Sequence, residues 1–552
     1  MFKGWKKGIV AALAAVFALT GCFGGGNNDD GDGEDAEHLT ISFFGIDYDD
    51  LQSPTESTEK IMKVIEDKFD VEFEVLNGSS AGWKQVLGQY IGGGDVPDVF
   101  FHTREEPLYS DMLSDGLLFN YSEYLDEYPN LKKAFSRYPE KEMKHLLGGD
   151  YYGYPIVMND ETDSALVNEH AMYYRRDWYT NLVAKNWAPT SGRPLVDPEN
   201  ENFNYLNFYD LCEGFTKGDP DGNSKNDTYG YAMTKDGGLY WWYPLLTMFG
   251  VSADGWYKDG DGKWQPEVIS DKAKEAVMFI SDMYDNGFIN STYATITTQP
   301  VMKNEFQVGK AGMVTYNATY PMGLGILDNM RTFVPGGKSL SDVVRAMPTV
   351  TGKDGTKRTY AFPNLYGYRA INNDISVNKK KRIMSIMDYM LSEEGMRLLD
   401  YGIEGEHYKI EDGKIVSLLG TDPDGGGVKT LYHNSVAPGV FRLKSLVSWT
   451  TRIDPGIRFY NEQMQLLDAW GKSQHQTVPN LYYVSVDKSY GLKMSQLEEL
   501  AATKYKEIVK DLGDGAAAKR EAAWNSLVSK YKKDGDQYIR AKNAGAQELY
   551  GE

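Results

Sequence analysis

Residues 39–101 read LTISFFGIDYDDLQSPTESTEKIMKVIEDKFDVEFEVLNGSSAGWKQVLGQYIGGGDVPDVFF, and the apolar residues switch between two periods along them. Leu39-Thr-Ile-Ser-Phe-Phe44 is a β-forming run, Val71-Glu-Phe-Glu-Val75 alternates with period two, and Pro97-Asp-Val-Phe-Phe101 reads as a buried strand. Between them a helix is expected from about Thr58, where Ile61, Val64, Ile65 and Phe69 recur at helical spacing, and another over about Trp83 to Ile91. The order strand, helix, strand, helix, strand specifies an α/β layer with parallel strands, whose ligand sites lie at the strands' carboxyl ends.

Further along, Ser270 is a candidate N-cap for a helix carrying Ala273, Ala276, Val277, Ile280 and Tyr284 and stopping at Gly287. A second helix is expected from about Lys381, with Ile383, Ile386, Met387, Met390 and Leu391 on one face. Lys258-Asp-Gly-Asp-Gly-Lys-Trp264 reads as a hairpin tip. The body is long enough to need two lobes or domains.

Upstream of this body, Lys3, Lys6 and Lys7 precede an apolar run from Ile9 to Leu19, too short for a permanent membrane span. The run closes on Leu19-Thr20-Gly21-Cys22, which resembles the lipobox of bacterial lipoproteins. That resemblance implies a diacylglyceryl group on the Cys22 sulfur, removal of residues 1–21, and a membrane anchor worth about 0.8 kcal/mol per buried CH₂. Residues 22–37 are acidic and Gly-rich with almost nothing to bury, so they read as a tether. Residues 38–552 form the folded body, and Cys212 within it has no second unlipidated cysteine to pair with.

The formal net charge is −21, and loss of the three leader lysines takes the mature chain to near −24. That charge argues against nucleic acid or anionic lipid as partner. Among the 7 histidines there is no His-x₃-His pair, and the chain has neither a Gly-x-Ser-x-Gly elbow nor a phosphate loop. A glycosidase needs only two carboxylates. It therefore stays as an alternative, but no enzyme is expected.

Several segments, in order, resemble the extracellular solute-binding proteins of ABC sugar importers, in the large lipoprotein branch common in Gram-positive bacteria. They are Gly93-Gly-Asp-Val-Pro-Asp98, Asp150-Tyr-Tyr-Gly-Tyr-Pro155, Tyr174-Arg-Arg-Asp-Trp178, Phe306-Gln-Val-Gly-Lys-Ala-Gly-Met313 and Gly402-Ile-Glu-Gly-Glu-His-Tyr408. The resemblance implies a two-lobed periplasmic-binding-protein-like α/β fold, its lobes discontinuous in sequence and closing on a ligand at hinge crossings. It further implies a monomer at the outer face of the cell membrane that captures an oligosaccharide and delivers it to ABC permease subunits. The other class to weigh is a structural or glycan-sensing surface lipoprotein that hands its ligand to a receptor and not to a permease.

Two clusters carry candidate sites. Tyr240-Trp241-Trp242-Tyr243 cannot point all four rings into one core, because adjacent side chains diverge, so at least one should be exposed or line a cleft where a pyranose could stack, the other reading being that Trp241 and Trp242 pack the second lobe. The excess of tyrosine, 39 against 22 phenylalanines, suits such wet aromatic surfaces. Asn159 and Arg175, from segments matching the family, and Tyr316, beside the Gly-Lys-Ala-x-Met element, are candidate polar partners. Arg175 and Arg176 could pair a uronate or could hold the lobe together. The second cluster is Asp219-Pro-Asp221-Gly-Asn223-Ser-Lys225-Asn-Asp227, with side-chain oxygens at Asp219, Asp221, Asn223 and Asp227 and a backbone carbonyl at Lys225. This spacing is that of an EF-hand loop, and the loop also resembles the metal loop of alginate-oligosaccharide binding proteins, implying structural calcium. Ser224 and Gly230 replace the Gly and Glu of the EF-hand pattern, and a solvated turn without metal is the other reading.

Overall fold

The computed structural model describes residues 38–79, 82–102, 107–157, 166–167, 170–234, 238–293, 295, 299–318, 326–327, 329–363, 365–420, 431, 435–448, 462–486, 490–510 and 513–551. Cys22, the leader and the tether lie outside these residues, as does Asn159. Among the described residues no helix is long and apolar enough to cross a membrane.

The opening strands form where the pattern places them. Leu39–Ile46 pairs in parallel with Val71–Gly78, residue for residue from Leu39 opposite Val71 to Ile46 opposite Gly78, and with Val99–His102 on its other side. The first connecting helix, Glu56–Phe69, starts where the Thr55 hydroxyl accepts the Thr58 N–H and ends at Asp70, whose φ of 49° stops it. Its Ile61 and Ile65 are buried against the sheet. The second, Trp83–Gly93, ends on the left-handed Gly94.

Two strands from far along the chain complete this sheet. Leu365–Ile371 lies antiparallel to Val99–His102, and Tyr154–Val157 lies antiparallel to Leu365–Ile371. A second sheet has the order Val344–Ala346, His170–Arg175, Ala311–Asn317, Tyr229–Ala232. There His170–Arg175 runs antiparallel to both of its neighbours, while Ala311–Asn317 and Tyr229–Ala232 are parallel. Each sheet with its flanking helices is one lobe.

The chain passes between the lobes after Val157, again after Ala346, and a third time between Ser448 and Glu462, where the helix Glu462–Lys472 packs beside Val344–Ala346. Short pairings sit on these crossings, Leu166–Val167 with Phe362–Pro363 and Thr359–Tyr360 with Gln476–Thr477. The antiparallel helices Gly491–Val509 and Ala516–Tyr550 then pack on the second lobe. Arg520 bridges to Asp285 at 2.6 Å, and Asn543 exchanges hydrogen bonds with the backbone of Trp264 at 2.9 and 3.0 Å. The last helix, 35 residues and about 52 Å long, ends with Lys141 of the first lobe donating to the Leu549 carbonyl.

Local signals hold elsewhere. Ser270 caps Asp271–Asp285 by accepting the Ala273 N–H, and the Trp256–Lys258/Trp264–Pro266 hairpin turns on Asp259. The helix expected from Lys381 begins four residues earlier, at Val377, because Ser376 supplies the cap; the polar Asn-Lys-Lys-Lys start carries no apolar stripe.

The first lobe is fastened at Arg369 on the returning strand. Its side chain is 1 % exposed and donates to the Phe44 carbonyl at 3.0 Å, the Tyr48 hydroxyl at 2.6 Å and the Ser445 carbonyl at 3.1 Å. The Tyr48 hydroxyl also shares a 2.7 Å hydrogen bond with Ser445, so the ring is fixed against Gly45. A Cβ on Gly45 would lie 1.9 Å from that ring. Gly45→Ala is therefore expected to destabilise the lobe by about 1–3 kcal/mol, measured as a fall in the urea midpoint; an unchanged midpoint would show that the Tyr48 ring is free to move.

Candidate ligand-binding site

The crossings locate the cleft. Leu365 stands beside Val157 and beyond His102, so the first two crossings leave the first sheet at the carboxyl ends of its parallel strands. His170 lies opposite Asn317, and Ala346 opposite Tyr173, so they enter and leave the second sheet at the carboxyl end of Ala311–Asn317. The carboxyl edges of both sheets are thus joined by the hinge segments, and the space between them is where an α/β fold binds its ligand.

The aromatic cluster sits on the second lobe's edge. Tyr240–Trp242 forms a 3₁₀ turn and Tyr243–Thr247 a short helix whose start is set by Pro244. The four rings diverge as adjacent side chains must. Trp242 is fully buried and donates its indole N–H to the Thr234 carbonyl at 3.1 Å. Tyr243 is buried with its hydroxyl 2.6 Å from Ser252, which is held in turn by its N–H on Glu267 at 2.7 Å. Burial pushes the Glu267 carboxyl up to about 7, against that hydrogen bond and the charges of Lys272 and Arg358. Trp242 and Tyr243 are therefore core residues rather than ligand platforms.

Trp241 and Tyr316 are brought together, stacked at 5.7 Å and 11°. Tyr240 stands outermost, 38 % exposed, with its edge 4.1 Å from the His170 ring and 5.0 Å from Trp241. His170 also lies 5.1 Å from Trp241, so one buried imidazole supports the cluster from beneath. Burial pushes His170 down to about 3, leaving it neutral at physiological pH. Beside the stack, the Lys303 ammonium lies 5.1 Å over the Tyr316 ring.

Arg175 is not in this site. It occupies the other end of the strand that begins with His170, about 17 Å away. There it forms a bidentate pair with Asp177 at 2.7 and 2.5 Å and packs between Trp178 and Phe333. Arg176 pairs with Asp197 at 2.6 Å. Both arginines hold the second lobe together.

His170 and Lys303 carry no motif of their own. On the first lobe the edge presents further polar residues that no sequence signal marks. Asp47 has a φ of 54°, a strained conformation for a non-glycine residue, with its N–H on the Gly78 carbonyl at 2.9 Å. Asn77 accepts the Tyr48 N–H at 2.7 Å, and His102 is stacked between Tyr109 and Tyr368.

The Asp219–Asp227 loop lies between the helix Tyr205–Lys217 and the amino end of strand Tyr229–Ala232, at the edge of the second sheet opposite to the aromatic cluster. Lys185 donates to the Asp219 carboxylate at 2.9 Å, and the Asn223 amide nitrogen lies 2.7 Å from Asp221 and 3.2 Å from Asp227. The donors are oxygens of hard-cation type, and the amide stands at the point where two carboxylates meet. As arranged, N–H groups occupy the positions a cation would take, and among the described residues no three His, Cys, Asp or Glu side chains converge to hold a metal.

The profile of the family described as bacterial extracellular solute-binding protein matches residues 53–397. Lipoprotein LipO of Bacillus subtilis (strain 168) is 26 % identical over 380 residues, 67 % of this chain and 68 % of LipO. The polygalacturonan/rhamnogalacturonan-binding protein YtcQ of the same strain is 23 % identical over 406 residues, 72 % of this chain and 73 % of YtcQ. Among solved structures, alginate-binding protein AlgQ2 without calcium ion superposes with a TM-score of 0.60 at 15 % identity, covering 93 % of this chain and 98 % of that one. That likeness is one of fold, two lobes about a cleft. With the family profile spanning more than half of the sequence, the chain belongs to the bacterial extracellular solute-binding proteins.

Proposed function

We propose that this protein is the oligosaccharide-capturing component of an ABC importer, held at the outer face of the cell membrane by a lipid on Cys22, and that it binds without chemistry. The observation that carries the sugar reading is the open Tyr240 ring at the carboxyl edge of the second sheet, braced by His170 and the Trp241–Tyr316 stack. A pyranose has one C–H face that seats on such a ring and a rim of hydroxyls that needs polar neighbours. Asp47 and Asn77 supply these from the facing lobe. The name of YtcQ, a glycan-binding protein, agrees with this ligand class. Closure of the two edges about the hinge segments would bury the sugar and create the shape that the permease subunits recognise.

Calorimetry of the full-length protein against plant and algal oligosaccharides tests this, with recovery of the ligand intact excluding hydrolysis. Tyr240→Ala is expected to weaken binding by roughly 1–3 kcal/mol, on the scale of base stacking on aromatic side chains. Trp242→Ala should instead cost about 3–5 kcal/mol of stability, with the affinity of the folded fraction unchanged. A folded Tyr240→Ala protein with wild-type affinity would move the site elsewhere in the cleft.

We also propose that the Asp219–Asp227 loop takes calcium. Asp219, Asp221, Asn223 and Asp227 would supply side-chain oxygens and Lys225 its carbonyl, with the Asn223 amide turned to present oxygen. The loop's distance from the cleft makes the role structural. Protein stripped with chelator should gain melting temperature on adding calcium, and Asp221→Asn together with Asp227→Asn should abolish the gain. No rise with calcium in the wild-type protein would leave the loop a solvated turn.

A further inference from the structure

Lys303 lies on the helix Gln299–Gln307, which leads through a tight turn into the strand Ala311–Asn317 and packs along it. The helix therefore begins where that strand ends, and its first turn and Lys303 stand at the cleft edge. Lys303 is half-buried, and among the described residues it makes no ion pair; its one close partner is the Tyr316 ring. Burial alone raises the Tyr316 hydroxyl, with no carboxylate acting on it. In a chain with 79 acidic and 58 basic residues, an ammonium without a carboxylate, held on an aromatic face at the ligand edge, is a charge left available for something that arrives.

The charges on the other flank have the opposite sign. Asp254, Glu498 and Glu499 line a cavity of 370 Å³ whose wall includes Tyr240, Tyr243 and Tyr531. An anionic ligand group would be repelled on that side and attracted on the Lys303 side. Tyr240 and Lys303 stand at the two ends of one row whose middle members, Trp241 and Tyr316, are buried, with successive separations of 5.0, 5.7 and 5.1 Å, so the same stack fixes both ends. The neutral His170 between the rings adds no competing cation.

We infer that the ligand is an anionic oligosaccharide, with a uronate carboxylate or a sulfate ester paired to Lys303 while a neighbouring ring stacks on Tyr240. This rests on the sugar-binding reading above and specifies its ligand. An ammonium pairs with either anion through charge-assisted hydrogen bonds, which are short and about twice as strong as neutral ones.

The test is calorimetry of the full-length protein with four probes: an oligogalacturonide, its methyl ester with the same rings and no charge, a sulfated galactan oligomer, and a neutral galactan oligomer. An anionic probe should bind at least about 10-fold more tightly than its neutral counterpart, and which one does so identifies the group. Lys303→Gln should weaken that probe by about 5- to 10-fold and leave the neutral counterpart unchanged, and the difference should shrink with added salt. Lys303→Arg should retain most of it. Equal binding of charged and neutral probes, or an unaltered Lys303→Gln protein, overturns the inference while sugar binding stands. No binding of any probe or of any other oligosaccharide overturns both.

Discussion

The molecule depends on a buried guanidinium. Arg369 sits in the interior of the first lobe, where a charge is tolerated only if its donors are matched by acceptors. Phe44, Tyr48 and Ser445 provide them. These groups belong to the first strand of the lobe and the turn just after it, and to the segment that follows the helix Pro438–Lys444, while Arg369 lies on the strand that returns from the other lobe. One side chain thus fastens three passages of the chain separated by up to 325 residues. A second buried pair, Lys444 with Asp400, ties the end of the same helix to the helix Glu393–Tyr401. Because the returning strand is locked in register, the segments that enter and leave the second lobe are fixed at the carboxyl edge, and the cleft follows from that placement.

Within the cleft the aromatic residues divide the labour by direction. Trp242 and Tyr243 are immobilised in the core, by Thr234 and by the Ser252–Glu267 pair, so the backbone that carries Tyr240 cannot drift. A ring presented from so rigid a base loses little freedom when a ligand seats on it, which is where preorganised sites gain affinity. The buried Glu267 shows what this costs, since its carboxyl is held in a site that penalises its charge.

Much of this was legible in the sequence, and the boundary is physical. The opening strands and helices follow from local periodicity and from caps such as Thr55 and Ser270, and each lies where its pattern places it. Adjacent-residue geometry already required one ring of Tyr240–Tyr243 to face outward, but not which one, because that depends on the 3₁₀ turn and on what Thr234 offers. Arg175 matched a motif, yet a strand's two ends look alike in sequence, and only pairing places His170 and not Arg175 at the cleft. His170 and Lys303 carry no local signal of their place in the fold. Their neighbours, Asn317 and Tyr316, are brought to them by pairing and by helix packing and not by any nearby signal.

A ligand bound between the two carboxyl edges must touch both lobes. A crystal structure of the protein with its bound oligosaccharide tests this most directly. Expected there are a sugar ring in van der Waals contact with Tyr240 and hydroxyls within hydrogen-bonding distance of the first lobe's edge near Asp47 and Asn77. A sugar held by one lobe alone, for example in the 530 Å³ cavity bounded by Asn130, Arg137, Met396 and Ile415, would contradict it.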